Sequence, residues 1–157
     1  MFYSAPILED SVILDNSTSD YGGGVYCEMS TPTLTRCIIT GNTASFYGGG
    51  VYCYSCSPTL ANCTISLNNG GGVYCTNSSP TINACNITGN SAFSGGGLQL
   101  TSSSNPTVLG CTISGNNSSS RGGGMYCEYS SSPLVTIGFR ISNATLTRVA
   151  KASPTQR

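Results

Sequence analysis

The chain has 157 residues, room for one domain, with six Lys and Arg against six Asp and Glu and no His. Zero net charge, with 8% of residues charged, cannot neutralise a run of phosphates, so no nucleic-acid partner is expected. The lack of His removes the commonest general base and metal ligand and every His-assisted nucleophile, and no stretch approaches the roughly 20 apolar residues of a membrane helix.

From the amino end, one unit is written again and again. The first copy is loose, with Pro6–Leu8, then Ser11, Ile13 and Asn16, and it closes on Gly-Gly-Gly-Val-Tyr-Cys at Gly22–Cys27. The second opens on Pro-Thr-Leu at Pro32–Leu34, continues with Cys37, Ile39 and Asn42 in the pattern Cys-x-Ile-x-x-Asn, and closes at Gly48–Cys53. Pro58–Leu60, Cys63/Ile65/Asn68 and Gly70–Cys75 make the third. The fourth has Pro80–Ile82, Cys85/Ile87/Asn90 and a divergent Gly-Gly-Gly-Leu-Gln-Leu at Gly95–Leu100. The fifth has Pro106–Val108, Cys111/Ile113/Asn116 and Gly122–Cys127. Successive glycine triplets start 26, 22, 25 and 27 residues apart. After Pro133–Val135 the pattern weakens. Gly138 is read at the Cys position, Arg140 at the Ile position and Asn143 at the Asn position.

Within the unit, Val25-x-Cys27, Thr33-Leu34-Thr35 and Cys37-x-Ile39 alternate with period two, which is strand logic. Gly, Pro, Asn and Ser interrupt every few residues, and no run has helical spacing. Each unit is therefore three short strands, one rung of a coil whose strands stack at about 4.8 Å on their counterparts. The expected fold is all-β, a parallel β-helix of about five coils over residues 1–143, followed by an irregular or disordered tail at 144–157. Neither end shows a cap, so end-to-end stacking through open coil edges is expected. The pattern is running by Pro6, leaving no room for a signal peptide, and the chain reads as part of a longer array.

Stacking predicts inward files of Val25, Val51, Val73, Leu98 and Met125, of Leu34, Leu60, Ile82 and Val108, and of Ile39, Ile65, Ile87 and Ile113. Asn42, Asn68, Asn90 and Asn116 form a file of amides at a bend. The triplet glycines supply positive φ or close backbone approach. Outward, Tyr26, Tyr52, Tyr74 and Tyr126 form an aromatic stripe broken at Gln99, and Thr33, Thr59, Thr81 and Thr107 a hydroxyl stripe. Both are candidate binding faces for sugar rings or a partner protein, and both are also what β-formers do when they stack on themselves.

Eight cysteines fall in two files, Cys27, Cys53, Cys75 and Cys127 beside Cys37, Cys63, Cys85 and Cys111. Two arrangements stay open for them, a ladder of buried thiols or disulfides between rungs. Cys53 and Cys56 form a lone Cys-x-x-Cys without a partner pair, so no metal site is expected. The carboxylates are scattered. Glu28 and Glu128 hold equivalent places four rungs apart, roughly 19 Å, too far for paired acid chemistry, and Arg36 reads as a lone turn residue. No catalytic residue and no cofactor are expected.

The Gly-Gly-Gly-Val-Tyr and Cys-x-Ile-x-x-Asn pair resembles the right-handed parallel β-helix repeats of the pectin-lyase-like superfamily. Within it, the pair is similar to the Gly-Gly-Ala-Ile and Phe-x-x-Asn repeats of polymorphic outer membrane proteins. The third Gly stands where those repeats have Ala, and Ile where they have Phe. The resemblance implies a right-handed coil and a secreted, cell-surface or cell outer membrane protein, and on the residues present an adhesin-like or structural role without enzyme activity is expected. It would bind carbohydrate or a host or cell-surface protein through the Tyr and Thr/Ser files. The other implication is a fragment of a polysaccharide lyase-like or hydrolase-like coil whose catalytic rungs lie outside this chain.

Overall fold

A computed structural model describes residues 5–135, 140–142 and 146–148. Each period-two run is a strand of two to five residues, and the described strands form three six-stranded parallel sheets and two parallel pairs, Ser17–Thr18 with Thr43–Ala44 and Ser91–Ser94 with Asn117–Arg121. The first sheet holds Ile7–Glu9, Thr33–Thr35, Thr59–Ala61, Thr81–Asn83, Thr107–Leu109 and Leu134–Val135. The second holds Val12–Leu14, Ile38–Thr40, Thr64–Ser66, Asn86–Thr88, Thr112–Ser114 and Arg140–Ser142. The third holds Val25–Glu28, Val51–Tyr54, Val73–Thr76, Leu98–Thr101, Met125–Cys127 and Leu146–Arg148. Chain order runs first, second, third sheet and then one rung up, so each strand pairs with its counterpart in the next repeat. This is a parallel β-helix of five coils, with the strands of a sixth paired on the fifth.

Register superposes the repeats residue on residue. Val25 lies against Val51, Val51 against Val73, Val73 against Leu98 and Leu98 against Met125. Ile13, Ile39, Ile65, Ile87 and Ile113 make a second file, and Leu8, Leu34, Leu60, Ile82 and Val108 a third. From the second coil to the fifth these side chains are buried and fill the core from three sides. Burial of that apolar surface supplies the main driving force for a chain with so few charges.

Three bends turn each coil, and they share one local design. At each bend a residue with positive φ is followed by a residue whose side chain faces inward. The first bend uses Asp10, Arg36, Asn62, Ala84 and Gly110 at positive φ, each one residue before Ser11 or a cysteine. The second uses Asp15, Gly41, Leu67, Gly89 and Gly115 before the asparagines. The third uses Met29, Ser55, Asn77, Ser103 and Ser130. The triplet glycines have a different task. A Cβ on Gly50 would stand 2.5 Å from the Gly72 carbonyl oxygen and 2.9 Å from Ile65 Cγ2, distances no alanine tolerates.

The end of the chain departs from the sequence reading. Ile141, not Arg140, continues the isoleucine file, because Arg140 pairs with Thr112 and Ile141 with Ile113. Val135 pairs with Val108, so the connection from Val135 to Ile141 is one residue longer than that from Val108 to Ile113. The boundary set at 143 also falls inside the coil, since Leu146–Arg148 pairs with Met125–Cys127. Gly138, Asn143 and residues 149–157 lie outside the described residues.

Candidate functional site

On the third sheet the tyrosines superpose as expected, but they do not form an open stripe. Tyr26 stacks on Tyr52 and Tyr52 on Tyr74, each at 5.3 Å between ring centroids. A second row covers them. Tyr21 stacks on Tyr52 at 4.8 Å and Tyr47 on Tyr74 at 4.5 Å, both rings coming from the position just before a glycine triplet. Tyr52 is thereby 8% exposed and Tyr126 2%, whereas Tyr26, at the end of the file, is 51% exposed. Burial, followed by the neighbouring phenols of Tyr21 and Tyr26, pushes the Tyr52 hydroxyl up to about 12. In the fifth coil Arg121 takes the covering position. Its guanidinium lies 5.9 Å from the Tyr126 ring centroid and donates to Tyr126 Oη at 3.0 Å. The expectation of four outward rings free for a ligand is corrected accordingly, because two are enclosed by side chains from the adjoining bend. The recurring Tyr-Gly-Gly-Gly at Tyr21 and Tyr47 carried that signal.

The threonine file holds its place. Thr33, Thr59 and Thr107 are half-buried and Thr81 is exposed on the outer face of the first sheet. A parallel hydroxyl file runs along the second sheet, where Ser66 Oγ donates to Thr40 Oγ1 at 3.1 Å. Four of the six carboxylates, those of Glu9, Asp10, Glu28 and Glu128, are engaged locally. Tyr26 Oη donates to Glu28 at 3.0 Å, and Tyr126 Oη to Glu128 at 2.8 Å. Arg36 is not alone. It donates to both oxygens of Asp10, from Nε at 2.6 Å and from the terminal nitrogen at 2.7 Å. Those hydrogen bonds hold the Asp10 carboxyl below its ordinary range.

All nine cysteines are buried, and the cysteines of the Ile-strand motif sit at the first bend as a ladder of thiols. Cys63 donates to Leu34 and Ala61 carbonyls at 3.4 Å each, and Cys85 and Cys111 repeat the pattern one coil and two coils on. In return, the backbone N–H of Cys63 donates to Cys85 Sγ, and that of Cys85 to Cys111 Sγ, both at 3.4 Å. Hydrogen bonds with Cys111 and Cys63, with burial added, hold Cys85 in its protonated form.

The amide file at the second bend has the same wiring. The N–H of Asn42, Asn68 and Asn90 donates to the next asparagine's Oδ1 at 2.9 to 3.0 Å. Nδ2 of each reaches back to an isoleucine carbonyl, for example Asn68 to Ile39 at 3.0 Å.

A third ladder, unread in the sequence, closes the third bend. The N–H of Cys56 donates to Ser78 Oγ, that of Ser78 to Ser104 Oγ, and that of Ser104 to Ser131 Oγ. Cys56 is thus one member of a serine file and not half of a Cys-x-x-Cys site. The pattern Ser/Cys-x-Pro at Ser30, Cys56, Ser78, Ser104 and Ser131 could have found it. Among the described residues no group of three or more His, Cys, Asp or Glu is arranged to hold a metal ion.

A notch of about 360 Å³ opens between the second bend and the third sheet. It arises from coil length. Five residues separate Asn42 from Gly48, Asn69 alone separates Asn68 from Gly70, and four separate Asn90 from Gly95. The short third coil is the floor, and the longer second and fourth coils are walls carrying Phe46 and Phe93.

This coil, with its parallel sheets, superposed files and laddered bends, defines a class of solenoid protein, and the comparison with known families agrees. The family model for the right-handed β-helix region matches residues 4–152, so the chain belongs to the right-handed β-helix family. No curated protein and no solved structure matches it.

Proposed function

We propose that this coil is a non-enzymatic segment of a secreted or cell-surface protein, structural and adhesive in role, that binds carbohydrate or a cell-surface protein along its outer faces. The observation that carries this reading is the chemistry of those faces. Neutral Thr, Ser and Asn side chains repeat rung by rung, while Asp10, Glu28 and Glu128 are each engaged by a neighbour. A flat lattice of hydroxyls offers many equal weak contacts, which suits a repetitive ligand. Placement at the cell surface, including the outer membrane, draws on the likeness of the repeats to polymorphic outer membrane proteins. The Gly in place of Ala at the third triplet position is a real departure from that pattern, since this stack has no room for the extra methyl.

The test pairs binding with turnover. Glycan and cell-surface binding is measured for the parent chain and for Thr59→Lys with Thr81→Lys, which places two ammonium groups on the hydroxyl file and leaves the core untouched. The double change is expected to abolish binding with the melting temperature unchanged. Incubation with pectin and Ca²⁺ is expected to give no cleavage. Turnover that survives purification would instead assign the chain to a carbohydrate-active coil.

A further inference from the structure

We infer that the notch over the third coil is a binding site for a neutral oligosaccharide, an assignment that rests on the chain being a binding segment and names one site and one ligand class for it. The first support is how the walls are built. Ser91–Ser94 pairs with Asn117–Arg121, but Ala92 lies against Ser118 and Ser94 against Arg121, so Phe93 alone stands opposite Ser119 and Ser120 and the extra residue is on the fifth-coil strand. Such a bulge interrupts the ladder at this point, and Phe93, opposite the bulged pair, is 71% exposed. Across the notch Phe46 is 57% exposed, with its ring braced by Tyr21 at 5.4 Å. An apolar ring left in water twice, on both walls of one depression, carries a hydration cost that a ligand face would relieve.

The second support is what lies between the rings. The side chains of Asn69, Asn117 and Ser119 line the notch, and among the described residues none of the three has a hydrogen-bond partner. Amides and hydroxyls offer donors and acceptors side by side, which matches the adjacent hydroxyls of a sugar, and a Phe ring face takes the axial C–H face of the same sugar. Among the described residues no charged side chain lines the notch. Phosphorylated or carboxylated ligands would enter without a counter-charge, so the site selects a neutral ligand. Phe46 and Phe93 sit on coils two rungs apart, about 9.6 Å at the usual strand spacing, and the volume lies at the small end of ligand sites. A di- or trisaccharide spans that gap.

The experiment is calorimetric titration of the intact chain with cellotriose, mannotriose and triacetylchitotriose, with trigalacturonate as the acidic comparison. At least one neutral trisaccharide is expected to bind, and trigalacturonate to bind at least about tenfold more weakly, or about 1.4 kcal/mol. Phe93→Ala should weaken the neutral ligand by a similar factor without lowering the melting temperature, and Phe93→Trp should restore it. Three results would overturn the assignment: no neutral trisaccharide bound at millimolar concentration, equal affinity for trigalacturonate, or binding indifferent to Phe93→Ala. If binding survives Phe93→Ala but is lost with Thr81→Lys, the notch assignment fails and the wider reading stands. Cleavage of any trisaccharide defeats the wider reading itself.

Discussion

The first and second bends solve the same problem with different chemistry. In both, a residue at positive φ turns the strand, and the next residue's N–H leaves the sheet ladder pointing at the coil above. A buried N–H without an acceptor costs about 1–3 kcal/mol. At the second bend the acceptor is an amide oxygen at 2.9 to 3.0 Å, and the same amide's nitrogen donates forward to the next asparagine's Oδ1 and back to an isoleucine carbonyl. At the first bend the acceptor is sulfur at 3.4 Å, a weak acceptor whose thiol is in turn a weak donor. The amide ladder thus closes its bend by hydrogen bonding. The thiol ladder closes the other bend mainly by filling it, because a small, polarizable side chain packs well where strands converge.

The turning residues follow suit. Three of the five turning residues at the amide bend are glycine, whereas the thiol bend uses Asp, Arg, Asn and Ala before its single Gly110. The bend with stronger side-chain bonds is also the one with the less strained backbone.

The largest effect should come from breaking the amide ladder. Asn90→Ala removes the acceptor of the Asn68 N–H and a partner of both neighbouring amides, in a place with no exposure to water. A loss of about 3 kcal/mol is expected from the groups left unpaired, read from chemical denaturation. A loss below about 1 kcal/mol would mean that the bend is closed by packing too, and would erase the distinction from the thiol bend.

At the thiol bend the matched change is Cys85→Ala, with Cys85→Ser beside it. Ala removes both the sulfur volume and the acceptor of the Cys63 N–H, and should cost about 1–2 kcal/mol. Ser keeps the hydrogen bonds but leaves part of the sulfur's volume empty. If filling dominates, Ser costs as much as Ala. If hydrogen bonding dominates, Ser approaches the parent, and the two bends are alike after all.

The backbone contrast is sharpened at Ala84, which stands at φ 51° where the next coil has Gly110. An L side chain in that region costs about 1–2 kcal/mol, partly offset by the greater freedom of glycine in the unfolded chain. Ala84→Gly should therefore stabilise by about 0.5–1 kcal/mol, visible as a higher denaturation midpoint with an unchanged slope. Its exposed side chain makes no competing contact within the core.

These files were legible in the sequence wherever one residue type recurs at one place. The core columns, the amide ladder and the threonine file come from repetition, and the coordinates superpose them. What escaped was whatever depends on unlike residues meeting. Asp10 and Arg36 share a file of turning residues with Asn62 and Ala84, so identity gave no hint that the first two pair. Tyr21 and Tyr47 were visible as residues, but that they fold over Tyr52 and Tyr74 depends on the path of the bend. The shift from Arg140 to Ile141 follows from one residue more between Val135 and Ile141 than between Val108 and Ile113, which slides the frame without altering the pattern. The notch was announced by the unequal coil lengths, yet its rings, Phe46 and Phe93, stand at no common repeat position.

The smallest effect is expected where the molecule has already made the exchange. At the third bend Cys56 occupies a file of serines: its N–H donates to Ser78 Oγ as that of Ser78 does to Ser104 Oγ, and its thiol donates to a backbone carbonyl, though one of the preceding coil. Its thiol reaches the Cys27 carbonyl at 3.3 Å, where Ser78 Oγ reaches the Thr76 carbonyl at 2.9 Å and Ser104 Oγ the Thr101 carbonyl at 2.6 Å. Cys56→Ser places a stronger donor at a position where the neighbouring serines bond their own coil's carbonyls, and loses some contact with Cys53 and Cys27. The two terms oppose each other and the net change should stay within about 0.5 kcal/mol. A clear loss there, set against tolerance of Cys85→Ser, would show that sulfur is needed beside Cys27 and Cys53 at the third bend, and that the thiol ladder of the first bend is the more replaceable of the two.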